Sequence, residues 1–301
     1  MNPAIKQFYN GAYFFLQATL PVNPFIPRKI NGSRVRKGHI RIEQETNPRL
    51  DELIIQQLNE ERIENASYKV DIDAFRKYYS DTPYPQDYYG NKNGRDDNFI
   101  EKALEHFVSL QLLHLNRHST LIDIGAGNSP FTEIVKEKSG TAKAYSQDKY
   151  FKEGFNENKI GGSASRLPFE DGSIDAMTLH CSLEHFEGNQ DTGFFIEAER
   201  VLKKGGKCIV LPFYLSSQYT VHLDPVNNLL KCFKPVLSDE GAVIRYCDSR
   251  QAFSRHYDVK TFRQRILNNI HALHPLIYRV ENFKEVYHDC YLRFVLVMTK
   301  L

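Results

Sequence analysis

The chain has 301 residues, 41% hydrophobic and 25% charged, which places it in the globular range with enough sequence for a large core. A formal charge of +2 and a pI near 8.1 exclude a strongly basic nucleic-acid-binding composition and do not name a partner. The five cysteines, Cys181, Cys208, Cys232, Cys247 and Cys290, show neither a Cys-x-x-Cys pair nor a Cys/His ligand spacing, so free thiols in a reducing compartment are expected rather than zinc or a disulfide framework.

Residues 1–95 read as an irregular, aromatic-rich leader with frequent prolines. Its apolar stretch over 13–20 is too short to span a bilayer and lacks a basic leader and a cleavage site, so a cytoplasmic protein is expected. One helix begins near Asn47 and Pro48, with Leu50, Leu53, Ile54 and Leu58 along one face. The turn-rich run 82–90 is the expected boundary between this leader and a domain over 96–301, which opens with a helix carrying Phe99, Ile100, Ala103, Leu104 and Phe107.

From Thr120 strand and helix alternate. A strand over 121–124 runs through a glycine turn into a helix that opens at Ser129 and Pro130 and closes at Gly140. Strands over 142–147, 159–164 and 174–180 follow, then a helix over 191–202, a stop at Gly205 and Gly206, and a strand over 207–213. Such alternation predicts a parallel sheet with helices on both faces. An insertion over 216–279 is too long for a structureless loop, and Asp258 can cap a helix with Phe262, Ile266, Ile270 and Leu273 on one side. Two terminal strands are expected over 280–287 and 291–299.

The segment Leu121-Ile-Asp-Ile-Gly-Ala-Gly-Asn-Ser-Pro130 sends an apolar strand into a turn whose glycines let backbone amides approach a ligand. Asp123 stands two residues before Gly125, where a carboxylate can face an ammonium group, and Asp148 ends the next strand, where an acid can hold ribose hydroxyls. Each feature alone is also met in turns without a ligand. Together they surround one crevice at the carboxyl ends of adjacent strands.

These residues resemble the class I S-adenosylmethionine-dependent methyltransferases, in particular the small-molecule branch similar to ubiquinone-biosynthesis enzymes. The ordered motifs are Asp123, Gly125-Ala126-Gly127, Asp148, Gly162-Ser-Ala-Ser-Arg-Leu-Pro-Phe169, Ser173-Ile-Asp175 and Glu199-Arg-Val-Leu-Lys-Lys-Gly-Gly206, and they cover residues 98–213. The resemblance implies a Rossmann-like, doubly wound, seven-stranded sheet with only the last strand antiparallel, flanked by the leader and a helical insertion. It implies S-adenosylmethionine as cofactor, with the methionine part on Asp123 and the turn Gly125, Ala126, Gly127, the ribose on Asp148, and the adenine lined by Ser163 and Ala164. His180 is placed beside the cofactor. Ser129 stands where a third glycine is common, and Ser163 where many relatives carry an Asp for the adenine amine.

A sulfonium methyl donor is already activated, so transfer needs an aligned nucleophile and a base only when that nucleophile is protonated. His185, in the segment after the fourth strand, is the candidate base because imidazole titrates near neutral pH; its competing role is to order the loop. His222 and His256 are weaker candidates. The Asn- or Asp-Pro-Pro-aromatic motif of enzymes that methylate amino groups of nucleic-acid bases or glutamine is absent, which argues against such acceptors, and there is no acidic cluster for a magnesium-dependent catechol-type mechanism. A hydroxyl or amine on a small-molecule, sugar or lipid-linked acceptor remains. Arg28, Lys29, Arg34, Arg36, Lys37 and Arg41 behind the aromatic run offer a surface for an anionic acceptor or a membrane, with a solvated basic face as the plainer reading. A nicotinamide-dependent oxidoreductase and a non-catalytic cofactor-binding scaffold are the two alternatives from other classes.

Overall fold

A computed structural model of the chain describes residues 29–30, 33–36, 48–91, 94–95, 98–223, 239–246 and 253–301. The aromatic run 13–20, Arg28, Lys37, Arg41, Asn47, Cys232 and Cys247 lie outside the described residues. The elements of the leader are β1 (Lys29–Ile30), β2 (Ser33–Arg36), α1 (Pro48–Glu60), β3 (Glu64–Tyr68), α2 (Ile72–Asp81), β4 (Gly90–Asn91) and β5 (Gly94–Arg95). Then come α3 (Asn98–Leu113), β6 (Thr120–Ile124), α4 (Phe131–Ser139), β7 (Lys143–Asn156), β8 (Lys159–Gly161), β9 (Ile174–His180), α5 (Gln190–Val201) and β10 (Leu202–Leu211). The insertion holds β11 (Thr220–Leu223), β12 (Val243–Tyr246), β13 (Ser254–His256) and α6 (Val259–Arg265), and the chain closes with β14 (Leu273–Val280), α7 (Phe283–Val286) and β15 (Phe294–Lys300).

The main sheet has eight strands in the order β3-β14-β15-β10-β9-β6-β7-β8. β15 runs antiparallel to both β10 and β14, while β10, β9, β6 and β7 pair in parallel. This is the Rossmann-like α/β fold, with the last strand reversed beside the fifth. Every residue of β6 is buried, as a central strand covered on both faces requires. Successive residues alternate between two cores: Ile122 and Met177 pack with Phe194 and Ala198 of α5, and Leu121 and Ala176 pack with Phe107 of α3 and Phe131 and Val135 of α4. Gly140, at φ 73°, closes α4 in the left-handed conformation.

The leader differs from its sequence reading. Beyond the expected α1, it supplies β3, which pairs in parallel with β14 from Leu276 to Val280 and becomes the eighth strand. It also supplies α2, capped by Asp71, whose carboxylate accepts from the Ala74 amide. In α1, Ile54 and Leu58 are fully buried, but Leu53 points outward. The first terminal strand lies at Leu273–Val280 rather than over 280–287, where α7 stands instead.

The insertion is less helical than expected. Asp258 does cap α6, accepting from Thr261 N–H at 2.7 Å, but the helix ends at Arg265 and Leu273 already belongs to β14. The remainder builds a second sheet with the leader, in the order β1-β2-β12-β11-β13. β2 pairs in parallel with β12 through Val35 and Ile244, so Lys29, Arg34 and Arg36 belong to strands of this sheet. Among the described residues no helix is long and apolar enough to cross a membrane.

Candidate active site

At the carboxyl end of β6 the chain turns through Gly125 and Gly127, both with positive φ (65° and 54°). A Cβ on Gly125 would stand 2.7 Å from the Ser182 Cβ, so this turn lies directly against the chain leaving β9. The Ala126 amide donates to Gln147 O (2.9 Å) and the Gly127 amide to Asp148 Oδ2 (3.0 Å). Tyr150 N–H donates to the other oxygen of Asp148 at 2.9 Å. The Asp148 carboxylate is thereby locked in place, and its remaining lone pairs are available on the cavity side.

Asp123 is 1% exposed. Its Oδ1 accepts from Thr178 Oγ1 (2.8 Å) and lies 2.9 Å from His180 Nδ1. A carboxylate only accepts, so Nδ1 carries the proton, and the Ser109 hydroxyl, 3.0 Å from His180 Nε2, donates to that nitrogen. The second oxygen, Asp123 Oδ2, is buried and has no hydrogen-bond partner. An orphaned carboxylate oxygen beside a glycine turn suits a ligand ammonium group.

A cavity of about 410 Å³ opens at these strand ends. Of the sequence-predicted residues, Gly125, Asp148, Ser163, Ala164 and His185 line it. Asp123, Ala126, Gly127 and His180 are not in its wall; His180 stands behind Asp123 and orients it. Gln147 and Tyr150 flank Asp148 in the wall, and the Gln147 side chain donates to Gly162 O at 2.6 Å, tying two strand ends together. Tyr150 is 81% exposed at the rim; its position two residues past the strand-end acid was the signal available for it. The cavity volume, the orphaned Asp123 oxygen and the glycine turn fit S-adenosylmethionine.

His185 Nδ1 donates to Phe253 O at 2.7 Å, which leaves Nε2 as the basic nitrogen, 3.5 Å from Glu184 Oε1. Phe253 belongs to the insertion and also lines the cavity. The insertion is fastened there by Arg255, which is fully buried and pairs with Asp191 (2.9 Å) and Asp239 (2.7 Å). Arg255 also donates to the carbonyls of Phe186 and Gly188, on either side of the loop that follows His185. His222 and His256 stand together in the second sheet, ring centroids 4.3 Å apart, away from the cavity wall.

Sequence reasoning missed a buried polar group on α3. Lys102 and Glu105 pair at 2.6 Å, both almost wholly buried, and they meet Cys181, which lines the cavity. Burial, and then the charge of Glu105, pushes the neighbouring Glu101 carboxyl up to about 8, against the opposing pull of Lys102. The available signal was three charged residues on a helix whose apolar residues already cover more than one face.

Residues 122–210, from β6 to β10, match the family model described as a methyltransferase domain. A comparison with curated proteins finds no match. Among solved structures, 1,6-didemethyltoxoflavin-N1-methyltransferase from Burkholderia thailandensis, crystallised with 1,6-didemethyltoxoflavin and S-adenosylhomocysteine, is 11% identical, with a TM-score of 0.46 over 89% of this chain and 94% of its own. Geranyl diphosphate C-methyltransferase from Streptomyces coelicolor A3(2), in complex with Mg²⁺, geranyl diphosphate and S-adenosyl-L-homocysteine, is 12% identical, with a TM-score of 0.41 over 76% of this chain and 97% of its own. Likenesses of this strength assign no acceptor. The methyltransferase-domain match falls on the centre of the main sheet, from β6 to β10, the stretch that carries Asp123, the glycine turn and Asp148.

Proposed function

We propose that this enzyme methylates a hydroxyl or amine of a small-molecule acceptor, sugar- or lipid-linked acceptors included. The observation that carries the site assignment is that Gly125 and the locked Asp148 carboxylate line one cavity, with the partnerless Asp123 oxygen buried two residues before Gly125. Asp123 Oδ2 receives the ammonium of the methionine moiety, with His180 and Thr178 fixing the carboxylate from behind. The turn of Gly125, Ala126 and Gly127 lies along that moiety, Asp148 holds the ribose, and Ser163 and Ala164 lie against the adenine. S-adenosylmethionine, when bound, supplies the activated methyl group. His185 Nε2 accepts the proton that the acceptor loses, its other nitrogen being fixed by the Phe253 carbonyl.

The leader and the insertion form the acceptor cap. The second sheet joins strands from both, and Phe253 brings the insertion to the cavity wall. Arg and Lys in these segments favour an anionic or sugar-containing acceptor. The free Cys181, Cys208 and Cys290 accord with a reducing, cytoplasmic setting.

Calorimetric titration with S-adenosylmethionine and, separately, with NAD tests the cofactor; tight NAD binding without S-adenosylmethionine binding would overturn it. Transfer of a radioactive methyl group to a small-molecule extract tests the activity. Cofactor binding with no labelled product from any extract would favour the non-catalytic scaffold.

A further inference from the structure

Cys181 is a free cysteine that lines the cavity just past the end of β9. The backbone around it is tied down, because the Cys181 amide donates to Leu211 O at 3.0 Å and the Ser182 hydroxyl to Ile124 O at 3.0 Å. Its φ of 45° is a left-handed conformation that a non-glycine residue keeps only when its surroundings impose it. Of the polar atoms around the sulfur, the closest is Lys102 Nζ at 2.5 Å, followed by Glu105 Oε1 at 3.3 Å and the Tyr291 and Tyr214 hydroxyls at 3.8 and 3.9 Å.

Lys102 is equally fixed. It is 4% exposed, and its ammonium pairs at 2.6 Å with the fully buried Glu105. The separation from Nζ to Sγ leaves no room for a third group between nitrogen and sulfur. One buried carboxylate therefore touches both partners of this contact, accepting from the lysine and from the thiol.

In the reduced chain the contact is inert. Burial, and then the charge of Glu105, pushes the Cys181 thiol up against the opposing pull of Lys102, so the sulfur keeps its proton on the side of Glu105. Oxidation changes this, because the sulfur of a sulfenic acid is electrophilic and condenses with a nitrogen nucleophile. Lys102 is the best nucleophile at hand: the two phenols stand more than an ångström farther off, and burial holds both in the protonated form. Two reacting groups held in contact combine as if each were present at very high concentration.

We propose that Lys102 and Cys181 form a redox modification site, joined by a nitrogen–sulfur bond when hydrogen peroxide reaches the cavity. The Cys181 sulfur attacks one peroxide oxygen as the oxygen–oxygen bond breaks. The thiol proton passes through Glu105 to the departing hydroxide, which leaves a sulfenic acid and one water. Sulfur has lost two electrons and the peroxide has gained them. Lys102 then gives a proton to Glu105, and its lone pair forms the nitrogen–sulfur bond as the sulfur–oxygen bond breaks. The departing hydroxide takes a second proton from the nitrogen and leaves as water, with no further oxidation. The sulfenamide so formed ties α3 to the chain leaving β9, stops short of the irreversible sulfinic acid, and returns to amine and thiol when two equivalents of an added thiol reduce it.

The test exposes the folded full chain to hydrogen peroxide, digests it and weighs the peptides. The peptide with Lys102 should appear joined to the peptide with Cys181, two hydrogens lighter than their sum, and dithiothreitol should release the pair. The joined fraction should fall at least about tenfold when the same treatment is given in guanidinium chloride, where the contact is lost. It should vanish in Lys102→Arg, which keeps a cation beside Glu105 but no nucleophilic amine, and dimedone should then capture Cys181 as the sulfenic acid. If Lys102→Arg fails to fold, the comparison of folded and unfolded unaltered chain decides. A Cys181 that peroxide leaves unchanged, or that dimedone captures in the folded unaltered chain with no link formed, overturns the inference. So does a link that forms equally well in guanidinium chloride, or a joined pair carrying an added oxygen, which would mean a nitrogen–oxygen–sulfur bridge instead of the direct bond.

Discussion

Replacing Asp123 by Asn separates ligand binding from folding. The side chain keeps its shape, and Oδ1 can go on accepting from Thr178 and His180. The partnerless Oδ2 becomes an NH₂ group that meets the cofactor ammonium donor to donor. A hydrogen bond between charged groups contributes about 1.5–3 kcal/mol, so the loss corresponds to a roughly 10- to 150-fold weaker Kd. Folding should move the other way or not at all, because the variant removes a buried, uncompensated carboxylate oxygen whose desolvation opposes the native state. Calorimetric titration with S-adenosylhomocysteine reads the first quantity and urea unfolding without ligand reads the second. An unchanged Kd would remove the ammonium from Asp123. A loss of stability equal to the loss of affinity would mean that Asp123 is a structural residue with no ligand role.

Other outcomes can be checked alongside. His185→Asn should lower kcat by about 10²- to 10⁴-fold while leaving S-adenosylhomocysteine affinity nearly intact; full turnover would reduce His185 to a loop-ordering residue. Gly125→Ala should destabilise more than Gly127→Ala, because both have positive φ but only the first meets Ser182, and comparison of urea midpoints decides it. Arg255→Ala should cost about 3–5 kcal/mol, since Asp191 and Asp239 lose a buried partner, and a thermal midpoint shift of only a degree or two would refute this. The folded-state pKa of Glu101, about 8, exceeds the unfolded value of about 4.3, so the native state binds the extra proton and stability falls as pH rises between these values. Glu101→Gln should flatten that slope in urea unfolding measured from pH 5 to 8, the remainder coming from Glu105, which is raised in the same sense.

The stretch from Asp123 to Ala164 stood out in the sequence because its parts are local, and Gly125, Gln147, Asp148, Ser163 and Ala164 within it border the cavity. Asp123 is the penultimate residue of β6, and Asp148, expected to end its strand, instead lies within β7, one residue past the last position that pairs with β6. Glycines, strand and helix each leave a short-range trace between Thr120 and Leu211. The buried polar group around Cys181 is assembled from Lys102, Glu105, Tyr214 and Tyr291, which no local pattern connects. β3 was hidden for a related reason: Glu64-Asn-Ala-Ser-Tyr68 lies at a sheet edge and lacks the apolar alternation of a half-buried strand. In β14, Pro275 argues against a strand, yet it precedes Leu276, where pairing with β3 begins, so its missing N–H interrupts no bond to that neighbour. The insertion was read as helical because Ile266, Ile270 and Leu273 continue the spacing of Phe262. Leu273 instead starts β14.

The pairing of β3 with β14 also fixes an order of events in folding. Glu64 and its register partner Leu276 are 212 residues apart, as are Val70 and Asn282, whose side-chain amide bonds both backbone groups of Val70. During synthesis the leader therefore emerges long before the strand it pairs with, and its ladder groups stay solvated while β6 to β10 assemble by shorter connections. Loop closure over such a span must precede any return from the contact, which places this edge late on the folding path. A central sheet formed before its last two strands arrive presents β10 as an open edge, and this is the intermediate in which the chain is most exposed to pairing with another copy of itself.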